Sequence, residues 1–215
     1  KLNIYTHPKL CNSRWLFGIS HATVMFENWS VKRVERSDIK DFIETHHYSK
    51  SINGCIADYC YALFHHDEMK GAMFYGRFAM MNQWMKYGDN KEDVIELRRL
   101  CCIDDTPKNT ESFFIGASLR QLKKDWGGKT IVSYADNEYG HEGTIYKATN
   151  FDYIGQTKFD RVIIHGDRRY HDKTIRTKDA HGILKPYAQK IKTALEEGSA
   201  YYHRTKGKNI FVYKY

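Results

Sequence analysis

The segment from Glu96 to Gly155 decides how this chain folds. It reads Glu96-Leu97-Arg98-Arg99-Leu100, then Asn109-Thr110-Glu111-Ser112, then Ser133-Tyr134-Ala135-Asp136, then Gly140-His141-Glu142-Gly143-Thr144-Ile145-Tyr146. Hydroxyls, carboxylates, arginines and an imidazole fall where strand-like runs give way to turns and helices, not inside the apolar runs. Such joints are where α/β folds build their sites. Val94 to Ile103 reads as a strand. Asn109 or Thr110 can cap a helix that carries Phe113, Phe114, Ala117, Leu119 and Leu122 and stops at Gly127-Gly128. Thr130 to Tyr134 is a short β-branched strand, followed by a polar turn and a compact helix over Glu142 to Thr149.

Working toward the N-terminus, Tyr59 to Phe64 and Ala72 to Phe78 are apolar runs joined by a polar hairpin connection, residues 65–71. Trp29 to Glu35 alternates as a strand, and Ser37 can cap a helix that begins at Asp38, presents Ile39, Phe42 and Ile43 on one face, and ends near His46-His47-Tyr48-Ser49. Toward the C-terminus come strands near 153–155 and 161–165 and a basic loop. A helix from Leu184 to Glu197 then sets Leu184, Ala188, Ile191 and Leu195 on one side, and Asn209 to Tyr215 forms a last strand. The order is mixed α/β. No repeat or low-complexity tract interrupts it, so one domain over 1–215 is expected, with an N-terminal extension over about 1–30 and a basic segment over about 176–215.

The composition, 41% hydrophobic and 14% aromatic over 215 residues, suffices for a substantial core. The apolar runs fall short of the roughly 20 residues that cross a bilayer, and the first thirty residues lack a secretory pattern, so a soluble, cytoplasmic protein without membrane partners is expected. The five cysteines form no disulfide framework, and reduced thiols are expected. Cys55-x4-Cys60-x4-His65-His66 departs from zinc spacing and reads better as part of a strand. A net charge of +8 favours an anionic partner. Lys and Arg recur with Tyr and His from Arg161 onward, notably in Tyr201-Tyr202-His203-Arg204-Thr205-Lys206-Gly207-Lys208. Cations beside stacking rings suit nucleic acid. Arg168, Arg169, Lys173, Arg176, Arg204, Lys206 and Lys208 are the candidate DNA contacts, although a solvated basic face would have the same composition.

Taken in order, and with Tyr153-x-Gly155 added, the motifs resemble the Mom family of bacteriophage DNA-modification proteins, from about Val31 to Tyr153. That resemblance implies a GNAT-like fold: a splayed, mostly antiparallel sheet flanked by helices. It also implies a transferase that modifies adenine N6 in double-stranded DNA, with carbamoylmethylation as the leading product, to evade host restriction in the cytoplasm of the infected bacterium. The implied partners are double-stranded DNA and a small-molecule donor; acetyl-CoA, another activated two-carbon donor, and iron are the candidate cofactors. One departure is visible. Where GNAT enzymes hold the CoA pyrophosphate on a glycine-rich loop, this chain has Asp104-Asp105-Thr106-Pro107-Lys108-Asn109, whose adjacent carboxylates and proline make a poor anion cradle.

Adenine N6 is delocalised into the ring and stacked in the duplex, so the base must be extruded into a pocket and the nitrogen assisted. Asp136, beyond a strand end, can act as base or orienter, or simply cap a turn. Tyr146 stands where many GNAT enzymes present a tyrosine to the leaving group, and packing is its other reading. His141 can transfer a proton, bind phosphate or cap a helix, and Ser112 can donate to a phosphate or oxyanion. Tyr48, Ser49, Arg98, Arg99, Asn109, Ser133 and Tyr134 are the candidate substrate and donor contacts. Arg98 and Arg99 are consecutive on a strand, so at most one is expected to face a given site. Acyl transfer forms an amide through the carbonyl carbon, whereas carbamoylmethylation joins a methylene to N6, so a donor other than acetyl-CoA, a further nitrogen source or a metal-assisted step is implied. The competing functions are an ordinary GNAT N-acyltransferase acting on a small amine, a protein or an aminoacyl-tRNA, and a DNA-binding protein without catalysis.

Overall fold

The central strands are apolar on both faces, and one helix covers each face. In a computed structural model describing residues 25–215, the chain runs β1 (Trp29–Val34), α1 (Arg36–His46), β2 (Tyr59–His65), β3 (Glu68–Gly76), β4 (Val94–Cys102), α2 (Thr110–Trp126), β5 (Thr130–Asp136), α3 (Thr144–Lys147), β6 (Asp152–Gln156), β7 (Arg161–His165), β8 (Arg168–His171), α4 (Pro186–Glu196), β9 (Ala200–Arg204) and β10 (Lys208–Lys214). Seven strands form one sheet in the order β1-β2-β3-β4-β5-β10-β6, and β8-β7-β9 form a second, smaller one.

Small side chains on one face of β2 and β3, Ala62 and Ala72, let Ile39 and Ile43 of α1 reach Cys60 and Phe74. On the other face, Phe114, Ile115, Leu119 and Leu122 of α2 meet Tyr61, Leu63, Met73, Tyr75 and Leu97. Each of these large apolar groups contributes about 1.5–3 kcal/mol by leaving water. The Tyr75 hydroxyl, fully buried, lies 2.7 Å from Ser118 Oγ, so its polar end is satisfied inside the core. The two helices thereby clamp a rigid sheet, and irregularities in that sheet stand out.

Two such irregularities make an opening. Among the described residues β4 and β5 are the only parallel neighbours in the seven-stranded sheet, and they pair only from Val94↔Thr130 to Leu97↔Ser133. Beyond that rung, β4 continues to Cys102 along β3 while β5 continues to Asp136 along β10, so each strand follows a different neighbour and the two separate. At the same point β4 carries a bulge. Leu97 opposes Tyr75 and Arg99 opposes Phe74, leaving Arg98 as the extra residue. A bulge bends its strand and adds local twist, which widens the separation.

Several elements differ from the sequence expectation. Residue Glu35, not Ser37, is the N-cap of α1; its N–H donates to Asp38 Oδ2 at 2.9 Å. The reason is reciprocal capping across Glu35 and Asp38, which starts the helix earlier. The hairpin connection is only two residues, His66 and Asp67, because both strands run further than their apolar cores. The compact helix shrinks to Thr144–Lys147, and the expected basic loop contains β8, which pairs with β7. Of the N-terminal extension expected over 1–30, residues 1–24 lie outside the described residues, as does Cys11. No helix among the described residues is long and apolar enough to cross a membrane.

Candidate functional site

Where β4 and β5 part, a cavity of about 480 Å³ opens, with Leu97 to Cys102 on one wall and Tyr134, Ala135 and Asp136 on the other. Residues 140–146 close one end and His46, His47 and Tyr48, following α1, close another. Its size is that of a small-ligand site.

Asp136 ends β5 and is almost wholly buried. Its Oδ1 accepts the Glu138 N–H at 3.1 Å, and Oδ2 lies 3.0 Å from Lys208 Nζ, the residue directly opposite on β10. Asp136 therefore both caps the turn and lines the cavity. Each carboxylate oxygen keeps a further lone pair for a donor. Lys208, expected to contact DNA, is instead the counter-ion of Asp136: on paired strands the opposed side chains share a face, and a nearly buried carboxylate needs the charge.

Tyr146 is buried on the same cavity, packed against Phe151 and Phe211. Burial raises its hydroxyl pKa and the neighbouring Ser133 hydroxyl opposes the rise, so the phenol stays protonated and able to donate near neutral pH. Ser133 is itself buried and donates to the Leu97 carbonyl at 3.3 Å, across the last rung before the strands part. The turn that brings Tyr146 here depends on Gly143, at φ 80°, where an added Cβ would lie 2.2 Å from the Phe211 ring.

Tyr48 reaches over the cavity from the α1 side. Burial, and next the Asp136 carboxylate, push its hydroxyl up to about 12 while Arg99 opposes. Its ring lies 4.4 Å from Tyr139 and 5.4 Å from His141, centroid to centroid, forming an aromatic rim beside the opening. Just behind it, Arg99 Nε donates to Ser49 Oγ at 3.1 Å, and that hydroxyl lies 2.8 Å from His47 Nδ1. The Ser49 N–H also donates to His47 Nδ1, at 3.0 Å, so the ring proton belongs on Nε2. Burial, with Arg99, His141 and Lys50 adding to it, brings His47 down to about 4 and keeps it neutral at neutral pH.

Both arginines line the cavity, against the expectation that only one would. The bulge cancels the alternation of β4: Glu96 opposes Gly76 and Arg99 opposes Phe74, both on the α1 face, with Arg98 inserted between them. Arg98 Nη1 donates to the Arg77 carbonyl at 2.7 Å and lies 3.5 Å from Glu96 Oε2. Its Nε is buried without a hydrogen-bond partner among the described residues. Glu96 is raised above the usual carboxylate range by burial, with the neighbouring cations pulling the other way. From the sequence, Glu96 has no role beyond its motif and His47 belongs to a loop that could border the cleft; spacing does not reveal that tertiary packing buries both beside the same arginines.

Other expected residues are turned away or already engaged. Ser112 lines a different cavity with Arg120, Lys123 and Asn150, because it lies on a side of α2 turned from the opening. Asn109 adopts a left-handed conformation, φ 71°, before α2 and makes no side-chain cap. The Tyr134 hydroxyl is taken up by Gln83 Nε2 at 2.6 Å and Tyr87 at 2.9 Å. Of the expected DNA contacts, Arg168, Arg169, Lys173 and Lys206 are exposed, whereas Arg176 pairs with Asp172 at 3.3 Å and Arg204 lies 3.3 Å over the Phe159 ring.

Among the described residues neither an ordinary CoA cradle nor a metal-ligand cluster is formed. In the loop before α2 the Thr110 N–H is used by the Pro107 carbonyl, Pro107 has no N–H, and Asp104 and Asp105 add negative charge, so an ordinary CoA pyrophosphate cradle is not formed. Among the described residues no three His, Cys, Asp or Glu side chains gather as a metal-ligand set.

Comparison with solved structures places the fold among the GNAT acetyltransferases. An acetyltransferase of Bacillus subtilis solved with CoA is 14% identical, with a TM-score of 0.50 over 87% of this chain and 99% of that one. A GNAT family acetyltransferase from Elizabethkingia anophelis with acetyl-CoA bound is 9% identical, with a TM-score of 0.51 over 88% of this chain and 99% of that one. In sequence, the chain is 28% identical over 141 residues to the "Methylcarbamoylase mom" of Escherichia phage Mu, a match covering 63% of this chain and 57% of that protein. The model of the Mom protein family matches residues 28–213. With that match running through the splayed strands and the cavity between them, this chain belongs to the Mom protein family.

Proposed function

We propose that this protein transfers a carbamoylmethyl group to N6 of an adenine extruded from double-stranded DNA, in the cytoplasm of a phage-infected bacterium, protecting the DNA from restriction. The observation that carries this reading is that Asp136 and Tyr146 line one cavity of about 480 Å³ whose opening is rimmed by Tyr48, Tyr139 and His141. Aromatic faces around a polar pocket suit an unstacked base. The phage Mu relative, named a methylcarbamoylase, supports the group transferred.

In this reading the N6 lone pair forms a bond to the methylene carbon of an activated acetamide donor, and the bond from that carbon to its leaving group breaks with both electrons going to the leaving group. The alkylated nitrogen becomes strongly acidic and gives up one proton. Asp136, held by Lys208 and the Glu138 N–H, accepts an N6 hydrogen bond that fixes the amine and then receives that proton. Tyr146, kept protonated by burial, donates to the leaving group. Arg98 Nε, a buried donor without a partner among the described residues, suits the amide carbonyl of the donor. The poor pyrophosphate cradle argues against an ordinary acetyl-CoA-dependent N-acyltransferase, and no step here runs through CoA or a metal.

Mass spectrometry of nucleosides from bacteria expressing the protein tests the reading. Deoxyadenosine heavier by C2H3NO is expected, and its loss in Asp136→Ala. An unaltered adenine pool with soluble protein present would refute it.

A further inference from the structure

The segment 158–206, less than a quarter of the chain, has twelve Lys and Arg against six Asp and Glu, and so carries six of the eight net positive charges. It folds as the small sheet β8-β7-β9 with α4, between β6 and β10 of the main sheet. α4 covers one face only, where Ile191 and Ala194 pack on Ile163, Ala200 and Tyr170. On the opposite face Arg169, Ile164 and Tyr201 are direct cross-strand neighbours and form a row over β8, β7 and β9. Arg169 and Tyr201 are exposed, Tyr201 by 61%.

This second face adjoins the opening of the cavity. His203, on the same face, lies 2.6 Å from Glu138 Oε1, and Glu138 Oε2 accepts the Lys206 N–H at 2.9 Å. Glu138 directly precedes Tyr139 of the aromatic rim, and Arg169 is near enough to help hold the Glu138 carboxylate below its ordinary range, after the hydrogen bonds from Lys206 and His203. Among the described residues no ion pair or side-chain hydrogen bond engages Arg169 or the Lys206 ammonium. Three other cations of the segment are engaged within the fold. Arg161 and Arg176 share Asp172, and Arg204 stacks on Phe159.

We propose that the row Arg169-Ile164-Tyr201, with Lys206 beside it, is the docking surface for the DNA backbone next to the extruded adenine. This inference rests on the proposed function for the identity of the partner. Two uncommitted cations meet phosphates, and the exposed Tyr201 ring lies against a neighbouring sugar or base. Cations already neutralised by carboxylates release fewer counterions on binding DNA and contribute less.

Binding of the full-length protein to a fluorescent adenine-containing duplex, measured by anisotropy over a range of salt concentrations, tests the assignment. The double variant Arg169→Ala and Lys206→Ala is expected to lose about tenfold or more in affinity and to lower the slope of log K against log salt by about two. The double variant Lys190→Ala and Lys192→Ala, which removes equal charge from α4 on the other face, is expected to leave the slope within about half of one unit. Tyr201→Ala is expected to weaken binding with an unchanged slope. Equal slopes for the two double variants, or no DNA binding by the unaltered protein, would overturn the assignment. Nucleoside analysis is read separately: a lowered slope without adenine modification sinks the proposed reaction and keeps the surface, and modified adenine with an unchanged slope does the reverse.

Discussion

Lys208 Nζ and Asp136 Oδ2 are 3.0 Å apart on opposed residues of β10 and β5, with the carboxylate almost wholly buried and the lysine side chain nearly half exposed. The pair ties the last strand of the chain to the wall of the cavity. Removing the lysine leaves a desolvated carboxylate. Lys208→Met should therefore cost about 1–3 kcal/mol in urea unfolding and abolish modification, while DNA affinity falls less than twofold. A large loss of affinity with modification retained would return Lys208 to the role of a DNA contact.

Tyr146→Phe removes one hydroxyl from a packed ring, so the fold should persist with a Tm change of a few degrees. The rate of modification should fall about 10²–10⁴-fold, the usual contribution of a positioned acid. A rate within threefold of the unaltered protein would leave Tyr146 as packing alone.

His47 sets a pH dependence. Its pKa is depressed to about 4 in the fold, from 6.5, chiefly by burial. Between those values the unfolded chain binds more protons, so stability is fully present above about pH 6.5 and declines as pH falls toward 4. Chemical denaturation at a series of pH values should show this decline, and His47→Gln should flatten it. An identical profile for the variant would contradict the assignment.

Gly143 and Gly140 give a matched pair, with φ near 80° and 74°. Alanine at Gly143 meets the Phe211 ring at 2.2 Å as well as backbone strain, whereas at Gly140 nothing lies within 4 Å. Gly143→Ala should cost about 2–4 kcal/mol and Gly140→Ala about 1–2, read from thermal unfolding. Gly143→Ala should also displace Tyr146 and lower activity out of proportion to its stability.

The aromatic rim should act on substrate binding. Tyr139→Ala removes the rim ring 4.4 Å from Tyr48, and base stacking contributes about 1–3 kcal/mol. A rise in KM for DNA with a smaller change in kcat is expected; a kcat effect alone would place Tyr139 in the chemistry.

The sequence by itself determined the order of elements through Glu96 to Gly155, the family, and Asp136 and Tyr146 as residues at element ends. Apolar periodicity and motif order are local properties, readable without coordinates. Tertiary structure alone decided which way the arginines of β4 point, since one inserted residue reverses every later alternation and no composition signals it. It also decided that Lys208 neutralises Asp136, and that Arg176 and Arg204 are already engaged within the fold. Those outcomes depend on cross-strand register and on partners distant in the chain. The same holds for Ser112, which the rotation of α2 turns to another surface, and for His47, whose charge is suppressed by burial that only packing creates.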